Sequence, residues 1–239
     1  MLREVNLMKS FSETIVKLTS DELIGHPLND VEKKFAPQYV FIKGNREIMS
    51  FPRVSVIGTR KPSRQGVTDT IILTKQLLKK NIVIVSGLAR GIDSIAHKTT
   101  IRFGGKTIAV LGTPLNVFYP PENEFLQNEI MKNHLAISQF PLETQTQRKN
   151  FPIRNRTMAL FSHASIIVEA GEQSGTLHQG WEALRLGRPL FIVDHIMQNG
   201  DLEWPSKFIR YGARILRIND IETLLDPLPT PGVIKDVTF

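Results

Sequence analysis

The chain has 239 residues, no cysteine and a formal net charge of +7. Missing thiols exclude disulfides, thiolate metal sites and cysteine nucleophiles and fit a reducing compartment, so a cytoplasmic location is expected. With 41% hydrophobic and 22% charged residues the composition excludes long disorder, and the cationic excess favours a polyanionic partner, plain solubility being its simpler use.

From the N-terminus, MLREVNLMKSF carries acidic residues and no long apolar region, so no secretory leader is expected. No apolar run approaches the roughly 20 residues that cross a bilayer, so no membrane association is expected either. Residues 1–35 read as a small helical appendage, with Ile15, Leu18 and Leu23 forming a modest apolar face and Pro27 as a breaker. Short, mostly β-branched runs follow at Val54–Ile57, Ile82–Val85, Thr107–Leu111, Leu135–Ser138, Ser165–Val168 and Pro189–Val193. Such runs predict buried parallel strands. Between the first two, Val67, Ile71, Thr74 and Leu78 recur at helical spacing; after the second, Ile92, Ile95, Ala96, Thr99 and Phe103 do the same. Alternating strands and helices predict an α/β fold with a doubly wound, mostly parallel sheet and helices on both faces. A short helix, a strand over Ala213–Ile218 and a final helix are expected within 204–225, before Pro227, Pro229 and Pro231 end regular structure. The expected division is an appendage at 1–35, one α/β domain at 36–226 and a Pro-rich tail at 227–239.

In such a sheet the loops after the strands carry the ligand. The first is Gly58-Thr59-Arg60-Lys61-Pro62-Ser63-Arg64, leading into a helix whose N-terminus favours anions. Solvated charges on an ordinary turn are the plainer reading. The second, Ser86-Gly87-Leu88-Ala89-Arg90-Gly91, lets the backbone approach a ligand and offers Arg90 to a phosphate. It is not G-x-G-x-x-G, so no dinucleotide cofactor, and no cofactor of any kind, is expected. Asp93 and His97 share a helix face, but two ligands are too few for a metal site, and Asp93 at a helix start has a structural use. Arg148-Lys149-Asn150-Phe151-Pro152-Ile153-Arg154-Asn155-Arg156 packs four cations around one aromatic ring, the combination that tracks a nucleic-acid backbone and stacks its bases. Against this stands a core role for Phe151, with the arginines holding a carboxylate such as Glu169. Finally, Ser174, Gly175 and Thr176 open another helix as a second anion cradle, unless one hydroxyl is simply its cap.

Taken in order, VSVIGTR, IVSGLARGIDSIAH, GKTIAVLG, YPPEN, FPIRNR and IIVEAGEQSGTL resemble the DNA-processing protein family called DprA or Smf, over residues 38–193. The resemblance implies a Rossmann-like fold without redox chemistry. It also implies a non-enzymatic protein that binds single-stranded DNA, usually as a homodimer, and helps load a RecA-type recombinase in natural transformation. It assigns Gly58, Thr59 and Arg60 to the family's first loop, and Gly87, Arg90 and Gly91 to its second. Lys149, Phe151, Arg154, Asn155 and Arg156 match its basic-aromatic segment, with Phe151 as the base-stacking residue; Ser174, Gly175 and Thr176 fill its last cradle. The sequence departs from the family in lacking a winged-helix domain and in carrying Asp194-His195 where the family has Pro-Gly. Two other functions share these loops. One is a nucleotide N-glycosidase of the lysine-decarboxylase-like, cytokinin-activating group, although Gln179 stands where that group has glutamate, leaving Glu169 or Glu182 to substitute. The other is a sensor of a free nucleotide.

Overall fold

The computed structural model describes residues 15–226 and residue 228. Nine strands form one sheet: β1 (Val16–Thr19), β2 (Tyr39–Gly44), β3 (Arg53–Gly58), β4 (Val83–Ser86), β5 (Thr107–Leu111), β6 (Leu135–Ser138), β7 (Ala164–Glu169), β8 (Leu190–Val193) and β9 (Arg214–Leu216). Their spatial order is β1-β2-β6-β5-β4-β3-β7-β8-β9. All pairs from β6 to β9 are parallel, while β1–β2 and β2–β6 are antiparallel.

The parallel strands are buried on both faces, as their unbroken apolar runs require. Val54, Val56, Ile166 and Val168 face one hydrophobic layer. Ile57, Val83, Val85 and Ile167 face the other. The first layer is covered by α3 (Arg64–Lys79) and α4 (Ile92–Arg102), through Leu73, Leu77, Ile92 and Ala96. The second is covered by α6 (Asn150–Leu160), α7 (Thr176–Arg185) and α8 (Trp204–Arg210), through Met158, Leu160, Trp204 and Phe208. Beside β5 and β6, α5 (Glu124–Asn133) packs Leu126 and Ile130. A last short helix, α9 (Glu222–Leu225), follows β9.

The segment expected as a helical appendage holds two short helices, α1 (Ser20–Ile24) and α2 (Asp30–Phe35), each opened by a capping box. It also supplies β1, which pairs with β2 and gives the sheet an antiparallel edge. Glu32 in α2 meets Arg188, just before β8, at 2.7 Å and fixes this segment against the domain. The periodicity of α3 is shifted from its expected face: Thr70, Leu73, Thr74 and Leu77 are buried, whereas Val67, Ile71 and Leu78 are half-buried. Because α3 packs on the sheet and on α4 together, its contact stripe is broader than one row of residues. Phe103, expected on the inner face of α4, is 50% exposed. The Pro-rich tail expected at 227–239 lies outside the described residues apart from Leu228, as does the start of the appendage before residue 15. Among the described residues, no helix is long and apolar enough to cross a membrane.

Two histidines are held neutral, one fully and one partly buried. His97 is fully buried with Nδ1 2.7 Å from the Thr107 hydroxyl, and burial lowers its pKa to about 3. His163 accepts the Arg53 backbone N–H at 2.9 Å, and burial, reinforced by the Arg53 and Arg188 cations, lowers its pKa to about 2. Unfolded histidine titrates near 6.5, so below that pH the unfolded state binds more protons and stability falls as pH drops. Urea denaturation is expected to show a loss of about 2 kcal/mol per neutral histidine between neutral pH and about pH 5. His97→Gln or His163→Gln should flatten that dependence. A wild-type stability indifferent to pH over this window would contradict the neutral pair.

Candidate nucleic-acid interface

The polypeptide winds outward through β3, β4, β5 and β6, then returns to the other side of β3 for β7, β8 and β9. The carboxyl ends of β3 and β7 therefore flank the topological switch point, where open α/β sheets hold their ligands. A cleft of ≈ 610 Å³ opens there. Its walls come from Gly58, Thr59, Arg60 and Lys61 at and after the end of β3, Phe151, Pro152, Arg154 and Asn155 on α6, and Gly171, Gln173, Ser174, Gly175 and Thr176 after β7. The volume suits a nucleotide-sized group.

After β3, the N-terminus of α3 is occupied by the protein itself. Ser63 Oγ accepts from Gly66 N–H at 3.0 Å. The Glu169 carboxylate accepts from the Ser63 backbone N–H at 3.1 Å and from its hydroxyl at 2.9 Å. The anion seat expected at this helix end is thus filled by Glu169, and what remains open to a ligand is the preceding turn. Arg60 and Lys61 are exposed there and make no ion pair among the described residues.

The loop after β4 is organised around a buried guanidinium. Arg154, 5% exposed, donates through Nη1 to the Gly87 carbonyl and, at 2.8 Å, to the Val110 carbonyl at the end of β5. Its Nε donates to Asn155 Oδ1 at 3.0 Å. A Cβ at Gly87 would collide with this guanidinium, so a side chain there would displace the brace. Asp93, in the first turn of α4, closes the same loop by accepting from Gly87 N–H at 3.1 Å and Ala89 N–H at 3.4 Å. Burial raises its pKa and the Arg154 cation opposes the rise; burial likewise lowers that of Arg154, and Asp93 opposes it. Gly91, at φ +75°, turns the backbone into α4 against the Thr59 carbonyl, where a side chain would clash. Leu88 is held in the left-handed region at φ 58°, its carbonyl receiving Asn123 Nδ2 at 2.9 Å. Strain of this kind persists only where surrounding contacts over-determine it.

The basic-aromatic segment is a helix, with Pro152 tolerated in a first turn whose N–H groups need no intrahelical acceptor. Its first turn presents Phe151, half-buried, to the cleft. The ring packs at 5.2 Å, tilted by 46°, on Tyr119, which is 44% exposed. The Arg60 guanidinium carbon lies 6.0 Å from the same ring centroid. Asn155 faces across the cleft, donating to the Gly175 carbonyl at 3.2 Å. On that wall Thr176 Oγ1 donates to the Gly58 carbonyl at 2.9 Å, while the Ser174 hydroxyl accepts from Thr176 N–H at 3.2 Å.

The sequence profile of the family described as DNA recombination-mediator protein A matches residues 18–228. The protein belongs to that family. It is 39% identical over 181 residues to the DNA processing protein DprA of Streptococcus pneumoniae, covering 64% of that protein and 76% of this chain. With DprA of Bacillus subtilis it shares 36% over 198 residues, covering 66% of that protein and 82% of this chain. It thus spans about two thirds of the length of these curated relatives. The solved structure of the pneumococcal DprA superposes with a TM-score of 0.77 at 34% identity, covering 77% of that protein and 92% of this chain. DprA of Helicobacter pylori, solved to describe its single-stranded DNA binding mode, superposes with a TM-score of 0.73 at 26% identity, covering 94% of that protein and 89% of this chain. A molybdenum cofactor binding protein from Rippkaea orientalis, at 16% identity and a TM-score of 0.52, shares the fold alone.

Within this DprA frame, Gly58, Thr59, Arg60, Phe151, Arg154, Asn155, Ser174, Gly175 and Thr176 come together around the cleft, and Gly87, Arg90, Gly91, Lys149 and Arg156 do not line it. Arg154 reaches the cleft wall only as a buried brace. Arg90 is ion-paired on the surface with Glu122. Arg156 is held by Glu182 at 3.3 Å and stacks over Phe35, pointing away from the cleft. Lys149 is exposed two residues before Phe151. Asp93 and His97 do not converge on a ligand, since each is bonded within the core. Among the described residues no cluster of three His, Cys, Asp or Glu could hold a metal. Residue pattern does not single out Tyr119, although the YPPEN stretch contains it. If Arg154 is a brace, Arg154→Met strands Asp93 and two carbonyls, and a loss of about 3–5 kcal/mol in urea denaturation is expected. Arg60→Ala should change stability by less than about 0.5 kcal/mol. Equal effects from the two variants would contradict the division.

Proposed function

We propose that the cleft binds single-stranded DNA. A base stacks on Phe151 beside Tyr119, while Arg60 and Lys61, with exposed Lys149 close by, meet the phosphates. The observation that carries this reading is the Phe151–Tyr119 pair opening into a cleft at the switch point with the uncommitted Arg60 cation over its ring. Aromatic faces accept any base, and cations that track the backbone ignore sequence, so weak sequence preference follows. Thr59, Ser174, Gly175, Thr176 and Asn155 form the polar wall opposite. Gly87, Gly91 and Arg154 act one step behind, shaping the loops. Arg90 and Arg156, both already paired, contribute only long-range positive potential.

The glycosidase reading lacks a free carboxylate. Gln179 is buried with its amide turned to the Asn155 carbonyl and the Ala159 N–H. Glu169 is bound by Ser63, and Glu182 by Arg156 and Arg185. Among the described residues the carboxylate lining the cleft is Asp93, which is spent on its own loop. The proposal extends to hand-over of the strand to a RecA-type recombinase and to action as a homodimer. Membership in a family of recombination mediators supports the first, and the family resemblance of the sequence motifs implies the second.

Titration of a labelled oligonucleotide against variants tests the assignment. Phe151→Ala is expected to cost about 1–3 kcal/mol of binding, the worth of one stacked base. Arg60→Ala should reduce the slope of log affinity against log salt by about 0.7. Unchanged affinity in the first and an unchanged slope in the second would remove both residues from the interface.

A further inference from the structure

A second cleft, ≈ 570 Å³, lies at the carboxyl ends of β8 and β9, on the same edge of the sheet as the first. The turn Pro62-Ser63 and the start of α3 lie between them. Lys61 lines the first cleft and Gln65 the second, four residues apart, so the two mouths lie within about 14 Å along the backbone. Exposed Arg64 sits between them.

One wall of the second cleft is rigid. Asp69 on α3 is 4% exposed, accepts from Gln65 Nε2 at 2.7 Å and lies 2.6 Å from His195 Nδ1. His195 belongs to the short turn Asp194–Gln198 that follows β8. The open side offers a single cation, Arg217, and a set of acceptors from Asp194, Asp220, Gln198 and Asn219. A pure phosphate groove would not carry two carboxylates. Carboxylate and amide acceptors match the exocyclic amino group of cytosine or adenine, whereas thymine presents only O4 and a methyl group on that edge.

We propose that this cleft is a second subsite for the same DNA strand, taking a nucleotide whose base carries an exocyclic amino group, with Arg217 on its phosphate. The inference rests on the single-strand reading of the first cleft. It predicts that the strand crosses the first turn of α3 past Lys61 and Arg64, and that a long oligonucleotide gains a base preference that a short one lacks.

Fluorescence anisotropy of the full-length protein with labelled tri- and dodecanucleotides of thymidine or cytidine tests this. The dodecacytidylate is expected to bind about tenfold more tightly than the dodecathymidylate. The gap should close in the Arg217→Ala/Asn219→Ala variant, whose altered residues are both exposed, while trinucleotide binding stays at the wild-type level and reports an intact fold. Equal dodecamer affinities in the wild type, a gap that survives in the variant, or tight binding of free cytidine monophosphate with no gain from length would overturn the inference and leave the first site standing. No binding of any oligonucleotide would sink the single-strand reading and this inference with it.

Discussion

A charged side chain buried where strands β4 and β5 end sets the geometry on which the rest of the site depends. Arg154 joins the Gly87 and Val110 carbonyls, faces Asp93, and so locks the loop after β4 to α6. Taking a guanidinium out of water is costly and is tolerated only with near-complete hydrogen bonding and a counter-charge. Here the backbone carbonyls of Gly87 and Val110 supply the acceptors and the Asp93 carboxylate the counter-charge, and therefore α6 cannot move without breaking the loop. Since Phe151 stands one turn before Arg154 on the same helix, the brace also fixes the aromatic ring at the cleft.

The site's cations separate by what they already touch. Arg154 is consumed by the scaffold, Arg156 and Arg90 by carboxylates, and Glu169 neutralises a helix end that would otherwise seat an anion. Arg60 and Lys61 are left in the cleft, with exposed Lys149 close by. A binding surface built this way gets its shape from buried, committed charges and its electrostatic pull from exposed, uncommitted ones. The salt dependence of the interface then belongs to few residues despite the overall charge of +7.

Much of this was legible from residues alone, for identifiable reasons. The parallel strands announced themselves because burial on both faces forces continuous β-branched runs, and all six expected runs are strands. β1 escaped because at the antiparallel edge its four residues, Val16 to Thr19, alternate apolar with polar, whereas β2 carries the apolar run Tyr39 to Ile42 but no strand-helix alternation around it to mark it as part of the parallel set. The cluster at Arg148–Arg156 was visible as cations around an aromatic ring, but helical geometry sends Phe151, Arg154 and Arg156 to different places: cleft, core and outer face. Their partners, Gly87, Val110 and Glu182, are 67, 44 and 26 residues away in sequence, so no local pattern reveals which arginine is free. Tyr119 was missed for the same reason, being brought to Phe151 by tertiary packing alone.

The most direct measurement is fluorescence anisotropy of the wild-type protein with labelled oligothymidylate, single-stranded and as a duplex of equal length, at low and moderate salt. An open stacking surface flanked by two uncommitted cations predicts clear preference for the single strand and affinity that falls as salt rises. Equal affinity for both forms, or binding that ignores salt, would contradict it.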